Sequence, residues 1–118
     1  MNERNDMQAA ARVATRLYRL IASLRARHGV EIDEIMVYFA VGRLTFDPQQ
    51  SMVMIRPTNI ASLSEFLGVP RETLRRKLLR LEERELVQRT SAGFVVKDAA
   101  VWRRLADIAG DARPEGEG

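Results

Sequence analysis

Cysteine is absent from the 118 residues, and histidine and tryptophan occur once each. Without thiols there are no disulfides, no thiolate metal ligands and no cysteine nucleophile. The one histidine, His28, cannot hold a zinc ion unless several carboxylates converge on it, and no metal site is expected. No apolar run approaches the ~20 residues that a membrane-crossing helix needs. The first residues, Met1 to Asp6, lack the apolar segment of a secretory leader. Cytoplasm without a membrane partner is the expectation. No nucleophile–base pair or phosphate-binding glycine loop is visible either, so neither catalysis nor a cofactor is expected.

What remains is an ordinary globular composition, 46% hydrophobic and 30% charged, with room for one modest core. The formal net charge is only +3, and its distribution says more than its sum. Residues 1–28 carry six basic and two acidic side chains, and 71–97 carry eight and four. Residues 29–70 and the tail 98–118 are net acidic. Two basic segments are the footprint expected for a polyanion partner, although a solvated arginine-rich surface has the same composition.

The periodicity predicts a long helix from about Met7 to Arg27, with Val13, Leu17, Leu20, Ile21 and Leu24 on one side and Gly29 as a left-handed stop. Asp33 is the expected N-cap of a second helix carrying Ile35, Met36, Phe39, Ala40, Val41 and Leu44 and ending near Asp47 and Pro48. That helix is apolar around much of its circumference. It is either buried on two sides within the domain or faces a second copy of the chain. The surplus of apolar helix in residues 1–48 favours a homodimer, with Leu17, Leu20, Leu24, Phe39 and Trp102 as candidate interface residues. No residue pattern identifies a small-molecule effector between these helices. The run Ser51 to Ile55 reads as a short strand beside a later hairpin, limited at its end by Pro57.

Residues 49–97 carry the functional signal. A short helix capped near Thr58-Asn59 or Ser62 would place Leu63, Phe66 and Leu67 toward the core and turn sharply at Gly68. A second helix, 70–84, opens with Pro70 and buries Leu74, Leu78 and Leu81. Glu72, Arg76 and Arg80 fall opposite the leucines. An arginine fork there matches guanine O6 and N7 in a major groove, and a glutamate can accept from cytosine N4. Leu86–Arg89 and Phe94–Val96 around Thr90-Ser91-Ala92-Gly93 make a hairpin. The order of elements is that of a winged helix-turn-helix. Asp98 then caps a last helix, 98–109, with Val101, Trp102, Leu105 and Ile108 on one side, and the tail 110–118 is expected to be disordered.

Gly68-Val69-Pro70-Arg71-Glu72-Thr73-Leu74-Arg75-Arg76-Lys77-Leu78, followed by Leu81-Glu82 and Leu86-Val87, resembles the DNA-binding domain of the Crp/Fnr regulators, over roughly Pro57 to Val96. The resemblance implies that Arg71, Glu72 and Arg76 read bases and that Thr73 and Lys77 lie by the backbone. Arg75, Arg80, Arg89 and Lys97 are candidates for further phosphate contacts. The chain departs from the family in three ways. The residues before the motif do not suit a cyclic-nucleotide or iron–sulfur sensory domain, Pro70 replaces the usual serine cap, and Glu85 stands where glycine or asparagine usually turns the chain.

The expected fold is therefore mainly α with a small β-hairpin wing, a winged helix-turn-helix with extra N-terminal helices. The expected function is a nucleoid-associated, dimeric, sequence-specific transcriptional regulator that binds double-stranded DNA. The alternative is a winged-helix module that docks a transcription, replication or segregation protein without reading bases, a reading toward which outward-facing Leu79 leans.

Overall fold

Helix α2 (Ile32–Thr45) is the element around which the others pack. Its sequence is apolar on nearly every side, and the computed structural model, which describes residues 2–48 and 55–111, shows why. α2 buries Ile35, Val37, Tyr38, Ala40 and Val41 against α1 (Glu3–His28), α3 (Ile60–Leu67), α4 (Arg71–Glu83) and the second strand of a hairpin. Five helices and that two-stranded antiparallel hairpin, β1 (Val87–Thr90) and β2 (Gly93–Val96), make up the described fold, closed by α5 (Ala99–Asp111). Interior packing thus accounts for most of the apolar circumference of α2. Ile32 and Met36 alone among its large apolar side chains stay more than half exposed.

Local signals set most helix ends. Asn2 accepts a hydrogen bond from the Arg4 amide and starts α1 a turn earlier than its apolar periodicity does. Gly29 ends it at φ 67°, its amide donating to the Arg25 carbonyl. The cap of α2 is Glu31 rather than Asp33: the Glu31 amide donates to Glu34 Oε1 at 2.8 Å, which leaves Asp33 inside the first turn and its side chain directed elsewhere. α5 continues through Gly110 to Asp111, so the tail begins later than its glycine suggests, and residues 112–118 lie outside the described residues.

The strand expected over 51–55 falls mostly outside the described residues, and Ile55 is exposed without strand pairing. The neighbour of the hairpin is instead Thr58, which exchanges both backbone hydrogen bonds with Phe94, at 2.9 and 2.8 Å. This contact requires Gly93. A Cβ there would lie 2.4 Å from the Thr58 carbonyl oxygen.

Trp102 ties α5 to α2. Its ring lies flat against Gly42, where a Cβ would come within 2.2 to 2.5 Å of three ring atoms. It meets Tyr38 edge-on and stacks on Phe46, each at 6.0 Å between centroids. Tyr38, Gly42 and Phe46 stand four residues apart on one stripe of the chain, so the helix repeat builds the seat. Leu20 and Leu24 of α1 are likewise used inside the chain, at 4% and 1% exposure. The burial of Leu20 and Leu24 takes these two out of an interface between copies, and Trp102 keeps part of its surface exposed. Leu17 and Phe39 are only partly covered. Phe66, expected in the core, is half exposed because the single turn between Leu63 and Gly68 leaves only Leu63 fully inward.

The Gly42 seat is directly testable because Trp102 is the one tryptophan. Gly42→Ala should lower stability by about 1–3 kcal/mol, the usual cost of overpacking, and red-shift the tryptophan emission as the ring is displaced toward water. Urea denaturation and emission spectra together check this; wild-type values in both would place the ring elsewhere.

Candidate nucleic-acid interface

α3 and α4 are joined by a turn that the local sequence fixes almost completely. Asn59 caps α3 by accepting from the Ser62 amide at 2.8 Å. Gly68 adopts φ 67° and donates its amide to the Ser64 carbonyl at 2.8 Å. The Ser64 hydroxyl donates to the Val69 carbonyl at 2.7 Å, closing the turn from its other side. α4 starts after Pro70, which offers no side-chain cap but sets φ for the entry. Leu74, Leu78 and Leu81 are fully buried together with Leu63 of α3. Their position fixes which side of α4 faces outward.

That outward side carries Arg71, Glu72, Arg75 and Arg76, all exposed. Glu72 and Arg75 form a fork, with the guanidinium donating to both carboxylate oxygens at 2.6 and 3.2 Å. The bond from Arg75 holds the Glu72 carboxyl below the usual glutamate range and raises the guanidinium in turn. Glu72 therefore remains an ionised acceptor whose orientation is set by its neighbour. Arg71 and Arg76 have no hydrogen-bonded or ion-paired partner among the described residues. Of the side chains expected to read bases, these two guanidinium groups are free and the carboxylate is braced.

The side chains expected at phosphates are arranged differently. Lys77 donates to Asp33 Oδ2, and Arg80 donates to Glu34 Oε2 at 3.1 Å and to the Gly29 carbonyl at 3.2 Å. Arg89 meets Glu82 at 3.2 Å and lies over the Phe94 ring, and Lys97 meets Glu85 at 3.4 Å. Thr73 is half-buried and shares a shallow groove with Glu34, Arg76, Lys77 and Arg80. Arg80 is thus a brace between α4 and the α1–α2 turn, and each other charged member of this set is matched by a carboxylate of its own chain. The Asp33 and Glu34 partners were not legible as site residues, because their roles depend on contacts 44 and 46 residues away.

Glu85 sits where α4 gives way to the hairpin, with φ 63°. A left-handed conformation in a residue with a side chain costs about 1–2 kcal/mol. It is held by the turn that α4 and β1 impose: its amide donates to the Glu82 carbonyl, and that of Leu86 to the Leu81 carbonyl. The departure from glycine at this position leaves the backbone turn itself in place.

On the far side of the outward face, Arg75 and Leu79 border a groove that continues over Ile60, Arg89 and Phe94. Leu79 is half-buried there rather than fully outward. Among the described residues no three His, Cys, Asp or Glu side chains gather as metal ligands, and no helix is long and apolar enough to cross a membrane. Comparison with protein-family models, curated proteins and solved structures gives no match.

The ion pairs make the cationic surface conditional on what the carboxylates are doing. Hydrogen bonding from Lys77 holds the Asp33 carboxyl below the ordinary aspartate range. The contribution of the pair to stability is therefore present above the ordinary aspartate value and is lost as pH falls through the lowered one. At neutral pH Lys77 is matched. Asp33→Asn should release it, raising affinity for random duplex DNA and steepening the log–log salt dependence by about 0.9, one phosphate contact. Filter binding across a salt series measures the slope, and an unchanged slope would mean that Lys77 does not reach the duplex.

Proposed function

We propose that this chain is a sequence-specific, double-stranded DNA-binding regulator of the winged helix-turn-helix type. In this reading α4 enters the major groove, and the hairpin β1–β2 is the wing along the flank. The observation that carries it is the outward face of α4: free Arg71 and Arg76 on either side of a braced Glu72, on a helix whose angle is set by the Gly68 turn. Guanidinium groups held by no hydrogen bond or ion pair suit bidentate contacts to guanine, and a fixed glutamate suits cytosine N4. The pairing of Thr58 with Phe94 supports the same reading, since it adds a third extended segment beside the hairpin and anchors the wing to the start of α3. The order Arg71, Glu72 and Arg76 agrees with the Crp/Fnr-type motif, which carries the family proposal on these residues alone.

The matched cations refine the reading. Arg75, Lys77, Arg89 and Lys97 would contact phosphates only by exchanging a carboxylate for a phosphate, so each contributes less to non-specific affinity than a free cation. Regulation by a homodimer on a two-fold site, in the cytoplasm at the nucleoid, is part of this proposal. A second reading is favoured by one observation. The groove over Leu79, Ile60 and Phe94 is apolar at its floor, as a peptide-docking surface is.

Selection of genomic fragments by the purified protein at two salt concentrations separates the two. A short recurring motif whose binding weakens steeply with salt supports base reading; no retention of DNA at low salt supports the docking reading. Arg76→Ala should cost about 1–3 kcal/mol on the selected site and relax preference at one base position. An equal loss on all sequences would assign Arg76 to the backbone instead.

A further inference from the structure

α1 divides into two halves. From Leu20 onward it is held by the core, with Leu20 and Leu24 buried and Ile21 packed against them. The turns from Glu3 to Thr15 bury no side chain, and contact with α5 begins only at Arg16 and half-buried Leu17. Met7 is 65% exposed and Tyr18 73%. Yet the spacing of the apolar residues does not change where the core ends. Met7, Ala10, Ala14, Leu17, Ile21 and Leu24 alternate intervals of three and four without a break. This is the repeat that keeps one seam of a helix against another helix. Arg12, Arg16 and Arg19 fall on the side away from that seam. A dozen or so residues of helix, from Glu3 to about Thr15, without tertiary packing are at the length where a helix is marginal in water.

We infer that the exposed half of α1 is an interface with the same half of α1 from a second copy, the two helices running antiparallel. Two observations select this occupant and direction. The first turn of α1 is acidic, with Glu3 and Asp6, and the last turn is basic, with Arg25, Arg27 and His28. Antiparallel pairing about the seam sets Glu3 and Asp6 of each helix beside residues 18–21 of the other, within one turn of Arg25, and opposes the two helix dipoles, whereas parallel pairing aligns like with like. The second observation is the extent of the free seam. It runs from Met7 through Ala10 and Ala14 to half-covered Leu17, and Leu24 beyond it is already buried. Self-pairing about its midpoint brings Met7 opposite Leu17 of the other copy and Ala10 opposite Ala14, so that two small residues lie at the centre, where the helices approach most closely. The inference names the surface for the dimer in the proposed function and rests on that reading only for the use of the dimer, not for its existence.

The absence of cysteine gives a clean test. Ala10→Cys and Ala14→Cys each introduce one thiol at an exposed position of α1. Mixed under mild oxidation, the two variants should form the heterodisulfide in preference to either homodisulfide. Predominant homodisulfides would mean parallel pairing and overturn the inference. Absence of any disulfide, with monomeric sedimentation at the highest soluble concentration, would overturn it as well. Met7→Asp, at a position 65% exposed within the chain, should leave the melting curve unchanged at concentrations where the wild type is monomeric and raise the dimer dissociation constant at least about tenfold; an unchanged constant would remove Met7 from the interface and with it the proposed register. Fragment selection on the same preparations keeps the two readings apart. Heterodisulfide pairing without DNA selectivity retains the interface and overturns base reading, and a selected motif from a monomer does the reverse.

Discussion

The contact on which the rest of the arrangement depends is the one between Arg80 and the start of α2. Glu34 is only 7% exposed, and a carboxylate so placed needs compensation for the water it has lost. It receives the Glu31 amide and the positive end of its own helix, and from outside the helix it receives Arg80. The same guanidinium donates to the Gly29 carbonyl at the left-handed turn that ends α1. One side chain of α4 therefore fixes three things at once: the entry of α2, the exit of α1 and the rotation of α4 about its axis. With that rotation set and the three leucines inward, Arg71, Glu72 and Arg76 have only the outward side available to them.

The electrostatics follow from the same geometry. A chain with a formal charge of +3 could display its cations openly, but most of those on α4 and the hairpin are matched by carboxylates across short gaps. Exposed pairs of this kind contribute little to stability. Their larger consequence concerns association. In the proposed reading a phosphate would have to displace a carboxylate from Lys77 or Lys97, while Arg71 and Arg76 would have no hydrogen bond or ion pair to give up. That would shift the balance between sequence-independent and sequence-dependent binding toward the two free arginines. Specificity is a difference of affinities, and lowering the affinity for the wrong partner raises it as surely as adding contacts to the right one.

What could be read from the sequence was whatever its own neighbourhood determines. Gly68 after Ser64, Pro70 at a helix start, the leucine repeat of α4 and Gly93 in a hairpin turn each act within a few residues, and the elements they predict over 60–96 agree with the structure to within a residue or two. The cap of α2 was misplaced because Glu31 and Asp33 are both chemically competent, and the reciprocal bonds between Glu31 and Glu34 start the helix two residues earlier. Gly42 carried no local signal at all. In a helix it reads only as a loss of propensity, and its reason is a ring contributed from sixty residues later. The apolar stripe of α1 was recognised as a unit, but periodicity marks a side of a helix without saying what covers it. Leu20 and Leu24 went to the core and Leu17 did not.

That division of α1 bears on how a two-fold DNA site would be spanned. An antiparallel pair has its symmetry axis perpendicular to the helices, at the midpoint of the free seam near residue 12. From there to Gly29 each helix runs on for about 25 Å at 1.5 Å per residue, so the two Gly29 turns stand about 50 Å apart. Arg80 grips that turn. In the proposed dimer the distance between the two copies of α4 would be governed by a rigid rod anchored at the same side chain that sets the rotation of α4. Half-site spacing and groove orientation, which a dimer on a palindrome must satisfy together, then have one structural origin. A flexible linker between pairing surface and reading helix would leave both free to vary. A continuous helix that is core at one end and, in the proposed dimer, interface at the other would couple them.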